Sequence, residues 1–80
     1  DLALTMQLMP NPTKGSFVID MPSAQGRKAS MVIHDLFGRV MLESDYIMGD
    51  AIDLTSYASG MYMVDLALDG KFNSMKLLVQ

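Results

Sequence analysis

The sequence contains no cysteine and no tryptophan, and its 80 residues include one histidine and three prolines. Without cysteine there can be no disulfide, no thiolate metal site and no redox-active thiol pair. A single histidine argues against a zinc site built on imidazole ligands. The absence of cysteine does not indicate whether the protein resides in an oxidising or a reducing compartment, because only disulfide-forming cysteines would point to an oxidising one.

Positive charge is also scarce and dispersed. The net charge is −3, and the six basic residues are Lys14, Arg27, Lys28, Arg39, Lys71 and Lys76. A nucleic-acid interface concentrates its cations on one face, so we expect no nucleic-acid partner.

Long apolar runs are missing as well. No stretch approaches the roughly 18 residues of a membrane helix, and no charged-then-apolar signal segment opens the chain. The sequence begins without Met in an already patterned segment, so we interpret residues 1–80 as one domain cut from a larger protein.

What the chain does have is alternation of apolar and polar residues from one end to the other. The alternation predicts seven strands, over residues 1–9, 16–21, 29–35, 39–44, 51–54, 61–68 and 71–80, with residues 45–50 as a connection. Seven short strands joined by turns predict a small antiparallel β-sandwich. The side chains predicted to face its core are those of Leu2, Leu4, Met6, Leu8, Phe17, Ile19, Met21, Met31, Ile33, Val40, Leu42, Ile52, Leu54, Tyr62, Val64, Leu66, Leu68, Met75, Leu77 and Val79.

Two turns are marked by glycine. In "DLFGR", Gly38 can adopt the left-handed conformation of a short hairpin loop, and the Asp35 carboxylate can hold the turn. Asp69-Gly70 is the strongest hairpin signal, because a two-residue type I′ loop needs positive φ at both positions.

The segment "PNPTKG" forms a rigid corner early in the chain. Pro10 and Pro12 remove two backbone donors and bias the residues before them, including Asn11, toward extended conformations. Strand one must therefore stop, and Gly15 gives the freedom to begin strand two. We predict that the corner carries the chain from one edge of the sandwich to the next.

No constellation of catalytic residues is visible. The nine acidic residues are spread over turns and outward strand positions, with no pair marked as general acid and base. "DYIMGD" with Asp53 is compatible with a calcium loop or with solvated carboxylates, but it lacks the ligand density of a dedicated site. His34 lies on an outward position without a predicted nucleophile or partner, which indicates an exposed sheet histidine. We expect no enzyme, no cofactor and no metal.

Nine methionines stand out in so short a chain. Met6, Met21, Met31 and Met75 fall on inner faces as adaptable core filling, whereas Met41, Met61 and Met63 fall on outer ones. The outer group either consists of partly buried residues that merely reflect the methionine-rich composition, or forms a surface for a partner.

The chain ends on the apolar strand "KLLVQ". A terminal strand is either locked into its sheet or left as a free edge that can pair with another chain. A terminal strand that is paired within its own sheet is the structural default, whereas a free chain end is a feature that a receptor could recognise.

Four motifs stand in order: "PNPTKG", "IHDLFGR", "DLTSYASGMYMV" and "KLLVQ". Together they resemble the type A C-terminal sorting domain of the type IX (Por) secretion system of Bacteroidota. The residues that match the family pattern are Pro10, Asn11, Pro12, Gly15, Ile33, Asp35, Gly38, Arg39, Asp53, Leu54, Gly60, Tyr62, Lys76, Leu77, Leu78 and Val79. His34, Met61 and Met63 depart from it, at positions where the family favours other strand formers.

The resemblance implies an immunoglobulin-like sandwich that follows a cargo domain in the same chain. Such a cargo crosses the inner membrane by its own signal and is recognised in the periplasm by the translocon. A sortase-like peptidase then often removes the domain and attaches the cargo to the cell surface. Residues 76–80, with Gly38 and Arg39, are the candidate recognition residues.

Other interpretations remain. Tyr62 follows Gly60 at the entry to strand six, where it is either the tyrosine whose hydroxyl ties back to the preceding corner or an ordinary half-buried residue. The domain could instead be an accessory binding or spacer module, for which Tyr46 and Tyr57 are the loop aromatics available to a carbohydrate. A homodimer formed through the terminal edge or by strand exchange is a further hypothesis.

Overall fold

Two antiparallel sheets, stacked face to face, make up the computed structural model of the protein, which describes residues 6–80. The described strands are β1 (Gln7–Met9), β2 (Ser16–Asp20), β3 (Lys28–Asp35), β4 (Val40–Ile47), β5 (Ala51–Asp53), β6 (Gly60–Leu68) and β7 (Lys71–Val79). A single 3-10 turn, Pro22–Ala24, interrupts the link from β2 to β3. The predicted seven-stranded β-sandwich is confirmed.

The strands divide unequally between the two sheets. One has the order β1-β2-β5 and the other the order β4-β3-β6-β7. In constant-type immunoglobulin domains the fourth strand joins the sheet of the first, second and fifth strands. Here β4 stays hydrogen-bonded to β3, because the tight hairpin between them keeps the two strands in one sheet.

The core lies between the sheets and consists of the inward residues of both. Phe17 and Ile19 of the first sheet meet Ile33, Val64 and Leu77 of the second, and each of these side chains is at most 1% exposed. Except in β4, the buried residues of each strand fall at every second position, as alternation predicts. Leu68 and Met75 are half-buried against the same core. Leu2 and Leu4 lie outside the described residues.

The inward prediction for Val40 is wrong. A β-bulge shifts the β3–β4 register, so that Ile33 pairs with Leu42 whereas His34 pairs with Val40. The extra residue in the bulge is Met41, and it reverses the alternation. Val40 therefore faces outward and is 54% exposed, and Met41, predicted outward, packs against the core.

Residues 45–50 are not merely a connection. Asp45, Tyr46 and Ile47 continue β4, and Tyr46 and Met48 are buried. The Tyr46 hydroxyl donates to the Asp50 carbonyl oxygen at 2.6 Å and accepts from the Ile19 amide at 3.0 Å. Burial raises the pKa of this phenol. The polar residues around Tyr46 hide the continuation of the strand from a reading of alternation alone.

The last hairpin forms as its sequence predicts. Asp69 has φ of 52° and Gly70 has φ of 75°, the pair of positive angles that a type I′ turn requires. The turn fixes the register of β6 against β7, from Leu68 opposite Lys71 to Gly60 opposite Val79.

Candidate recognition surface

The corner at residues 10–15 binds the end of β7. The Asn11 side chain donates from Nδ2 to the Lys76 carbonyl oxygen at 2.8 Å and accepts at Oδ1 from the Leu78 amide at 3.1 Å. Thr13 continues the pairing through its backbone, donating to the Leu78 carbonyl and accepting from the Gln80 amide. We call these four hydrogen bonds the clamp.

Thr13 anchors the clamp in the fold, and sequence reasoning missed it. It is 1% exposed, and its hydroxyl donates to the Ser16 carbonyl oxygen at 2.6 Å while accepting from the Gly15 amide at 3.0 Å. The Gly15 carbonyl in turn accepts from the Leu54 amide at 2.6 Å. The only signal in the sequence is a β-branched residue in the short segment between Pro12 and Gly15.

The predicted route of the corner needs a correction. β1 and β2 are neighbours in the same sheet, paired from Gln7 opposite Asp20 to Met9 opposite Val18. The corner therefore connects adjacent strands of one sheet. Between them, Asn11 and Thr13 hydrogen-bond to β7, the edge strand of the other sheet. The peptide bonds before Pro10 and Pro12 are both cis.

The clamp decides what the terminal strand can offer to a partner. It occupies the Lys76 carbonyl, the amide and carbonyl of Leu78 and the Gln80 amide, so the end of β7 is locked and not a free edge. Leu77 and Val79 are buried in the core, whereas Lys76 and Gln80 are exposed and Leu78 is half-buried on the outer face. A receptor that meets the folded domain can touch only the second set.

The β3–β4 turn lies at the same end of the molecule. Asp35 pairs with Tyr62, and Tyr62 pairs with Leu77, so the turn is two strand spacings, about 10 Å, from the terminal strand. Gly38 and Arg39 are thus brought together with residues 76–80. Asp69 and Gly70 are at the opposite end of β7.

A single carboxylate holds the turn. Asp35 Oδ1 accepts from the Phe37 and Arg39 amides, both at 2.9 Å, and Oδ2 accepts from Arg39 Nε at 3.0 Å. The Arg39 amide is the main cause of the lowered pKa of Asp35. Gly38 has φ of 87°, as its predicted place in the loop requires.

Tyr62 and Asp53 fix the segments beneath this end. The Tyr62 hydroxyl donates to the Ala58 carbonyl oxygen at 2.5 Å, four residues upstream, which is the contact of the tyrosine corner. Asp53 Oδ1 accepts from the Thr55 amide at 2.9 Å, and the hydrogen bonds from Thr55 lower the pKa of Asp53. Both residues order loops.

His34 has partners that the sequence did not reveal. Its Nε2 lies 2.9 Å from Asp65 Oδ2, and its Nδ1 lies 3.0 Å from the Asp35 carbonyl oxygen. Ser74 donates to the other Asp65 oxygen at 2.6 Å. Because the carboxylate sits between serine and imidazole, the imidazole does not contact the hydroxyl, and the three side chains do not form the serine–histidine pair of a nucleophilic site.

The loop aromatics give no carbohydrate platform. Tyr46 is 5% exposed, and half-buried Tyr57 donates its hydroxyl to the Met41 carbonyl oxygen while its ring stands edge-on to Tyr62. Within residues 6–80 no three His, Cys, Asp or Glu side chains are grouped as a metal site would need. The same residues include no helix long and apolar enough to cross a membrane.

These features define a class: a small β-sandwich with a locked terminal strand and a preorganised hairpin at one end. The model of the secretion system C-terminal sorting domain family matches residues 7–80. The chain belongs to that family. No curated protein matches the sequence.

Proposed function

We propose that the domain is the sorting signal of a cargo protein that precedes it in the same chain, and that the type IX translocon reads the domain in its folded form. The family match over residues 7–80 carries the proposal, since membership supports a C-terminal signal for type IX secretion. Such a signal directs the cargo across the outer membrane.

The later steps belong to the same proposal. After passage through the periplasm a sortase-like peptidase removes the domain, and the cargo is left on the cell surface or released. Cleavage before Met6 would leave all the described strands and the clamp in place, because they lie within residues 7–80.

The terminal strand contributes side chains, not backbone, to recognition. Lys76, Leu78 and Gln80 are the members of the last five residues that face outward. Deleting the five residues would also remove buried Leu77 and Val79, so a deletion alone cannot separate recognition from folding.

The test is an export assay with residues 1–80 fused behind a carrier that has its own inner-membrane signal. In a host with a type IX system we expect the carrier outside the cell, and in the same host with an inactive translocon we expect it in the periplasm. Periplasmic carrier in both hosts would refute the proposed function.

A triple variant, Lys76→Ser with Leu78→Ser and Gln80→Ser, tests the terminal side chains. We expect export to fall by about tenfold while the melting temperature stays near that of the wild type, because the core and backbone contacts remain. The matched control is Lys71→Ser with Phe72→Ser at the other end of β7. Normal export by the triple variant would show that these side chains are not read.

A further inference from the structure

The β3–β4 turn displays the most exposed large apolar side chain among the described residues. Phe37 is 96% exposed and its neighbour Leu36 is 60% exposed. Transferring a phenylalanine side chain from water into an apolar site is favourable, so this exposure leaves a substantial binding contribution unused in the isolated domain.

The turn is already ordered before any partner arrives. The Asp35 carboxylate accepts both the Phe37 and the Arg39 amides, and the Gly38 amide donates to the Asp35 carbonyl oxygen at 3.1 Å. An anchor on such a turn binds with little further loss of backbone entropy. Buried aromatic anchors of this kind dominate the energetics of protein interfaces.

A groove lies beside the anchor. It has a volume of about 280 Å³ and runs between the turn and the start of β6, lined by Leu36, Phe37, Arg39, Ser59 and Met61 among others. Met61 pairs with Leu78 of the terminal strand, so the groove adjoins the outward residues of "KLLVQ". The surface is therefore continuous from Phe37 to the end of the chain.

Two exposed cationic side chains, those of Arg39 and Lys76, lie at this end. The Arg39 side chain is 76% exposed and contacts Asp35 through Nε. Asp35 is held by three donors from the turn, and Lys76 forms no ion pair with any residue in the described part of the chain. A complementary surface would present carboxylates to these two cations.

We propose that Phe37 is the anchor by which the domain docks into an apolar pocket of a secretion-machinery protein, with Met61 packing at the pocket mouth and Arg39 meeting a carboxylate on its rim. This inference rests on the proposed function and names the kind of partner surface that the recognition end fits.

The experiment compares two exposed phenylalanines in the export fusion. Phe37→Ser is expected to lower the exported fraction of carrier by about tenfold, because it removes the anchor from the interface. Phe72→Ser is the matched control, since Phe72 is 69% exposed at the opposite end of β7. Both purified variants should keep the wild-type melting temperature, and Phe37→Leu should retain most of the export.

Two substitutions of Arg39 test the contribution of its positive charge, because both remove the contact between Nε and Asp35. Arg39→Lys keeps the cation and should export near the wild-type level, whereas Arg39→Gln should export less. Equal export by Phe37→Ser and wild type, or equal loss in Phe37→Ser and Phe72→Ser, would overturn the docking inference. Failure of the wild-type fusion itself would instead count against the proposed function.

Discussion

At the scale of single residues, His34 shows that a side chain on the outer face of a sheet can have two defined hydrogen-bond partners. Both ring nitrogens face acceptors, Asp65 Oδ2 and the Asp35 carbonyl oxygen, so both are satisfied as donors only when the ring carries two protons. The pKa of His34 is raised, first by the hydrogen bond to the Asp35 backbone and then by Asp65, against the opposing effect of desolvation. The charged imidazolium is therefore the form that the fold favours.

This arrangement predicts a stability that falls with rising pH. A raised folded-state pKa adds stability that is fully present below the unfolded value of about 6.5 and is lost as pH rises through the folded pKa. We expect a higher melting temperature at about pH 5.5 than at about pH 8, and a smaller difference in Asp65→Asn. Thermal unfolding followed by circular dichroism at the two pH values measures both.

His34→Gln is the control, because it removes the titrating group and keeps a polar side chain at the same position. Other groups that titrate in this range contribute equally to all three proteins and cancel in the comparison. An unchanged pH dependence in both Asp65→Asn and His34→Gln would show that this contact does not affect stability.

At the scale of elements, the clamp replaces the missing neighbour strand of β7. One side-chain amide mimics a strand, since Asn11 supplies both a donor and an acceptor to alternate residues of the edge. Edge strands are otherwise open to pairing with other chains. The corner thus protects the terminal residues while leaving their outward side chains accessible.

Asn11→Asp tests the clamp with almost no change of shape. The carboxylate cannot donate to the Lys76 carbonyl and places two oxygens in contact, so we expect the free energy of unfolding to fall by about 1–3 kcal/mol. Amide hydrogen exchange should accelerate at Leu78 and Gln80. Asn73→Asp, on the same strand and away from the corner, is the matched control and should leave exchange at these two amides unchanged.

If Asn11→Asp kept wild-type stability and slow exchange at Leu78, the corner would not hold the strand. The same variant also separates two explanations of an export defect. Loss of export together with lower stability would assign the corner a structural role, whereas loss of export at unchanged stability would make it a contact site.

Alternation located the seven strands, but it missed the second half of β4 and the face on which Val40 lies. Phe17, Ile33 and Leu77 were placed correctly because a half-buried strand repeats every two residues. Val40 was misplaced because a bulge has no mark in the sequence when its extra residue is an ordinary apolar one, Met41.

The candidate site was found in pieces, and the fold joined them. Gly38, Arg39 and residues 76–80 were selected from local motifs, but nothing local shows that they share one end of the sandwich. The clamp links Asn11 to Lys76 across 65 positions of sequence. A single sequence carries no signal for contacts so distant, and Phe37 became a candidate only through its exposure in the folded domain.

At the scale of the whole molecule, the two ends expose different side chains. The end with the β3–β4 turn, the clamp and the chain terminus exposes apolar and cationic groups. The opposite end holds the Asp69-Gly70 turn, braced by an ion pair from Arg27 to Asp69 at 2.6 Å. Because both residues of that pair are about half exposed, it contributes little to stability.

Strand exchange between two copies would have to open that turn. Once β7 is released from the clamp, it can pair with β6 of a second copy only if residues 69 and 70 become extended. The positive φ angles of Asp69 and Gly70 favour the closed hairpin, so we propose that the wild-type domain is monomeric and that the turn maintains this state.

Gly70→Val should shift the balance toward an exchanged dimer, because a β-branched residue at φ of 75° strains the closed turn and is relaxed in an extended hinge. Light scattering after refolding over a wide concentration range should give a mass rising from monomer to dimer. Gly26→Val is the matched control: its φ is 81°, and like Gly70 it has open space where a side chain would begin, but it lies outside the hinge to β7. It should lose stability and stay monomeric. A monomeric Gly70→Val protein at every concentration, or a dimer of both variants, would exclude the turn as the element that prevents exchange.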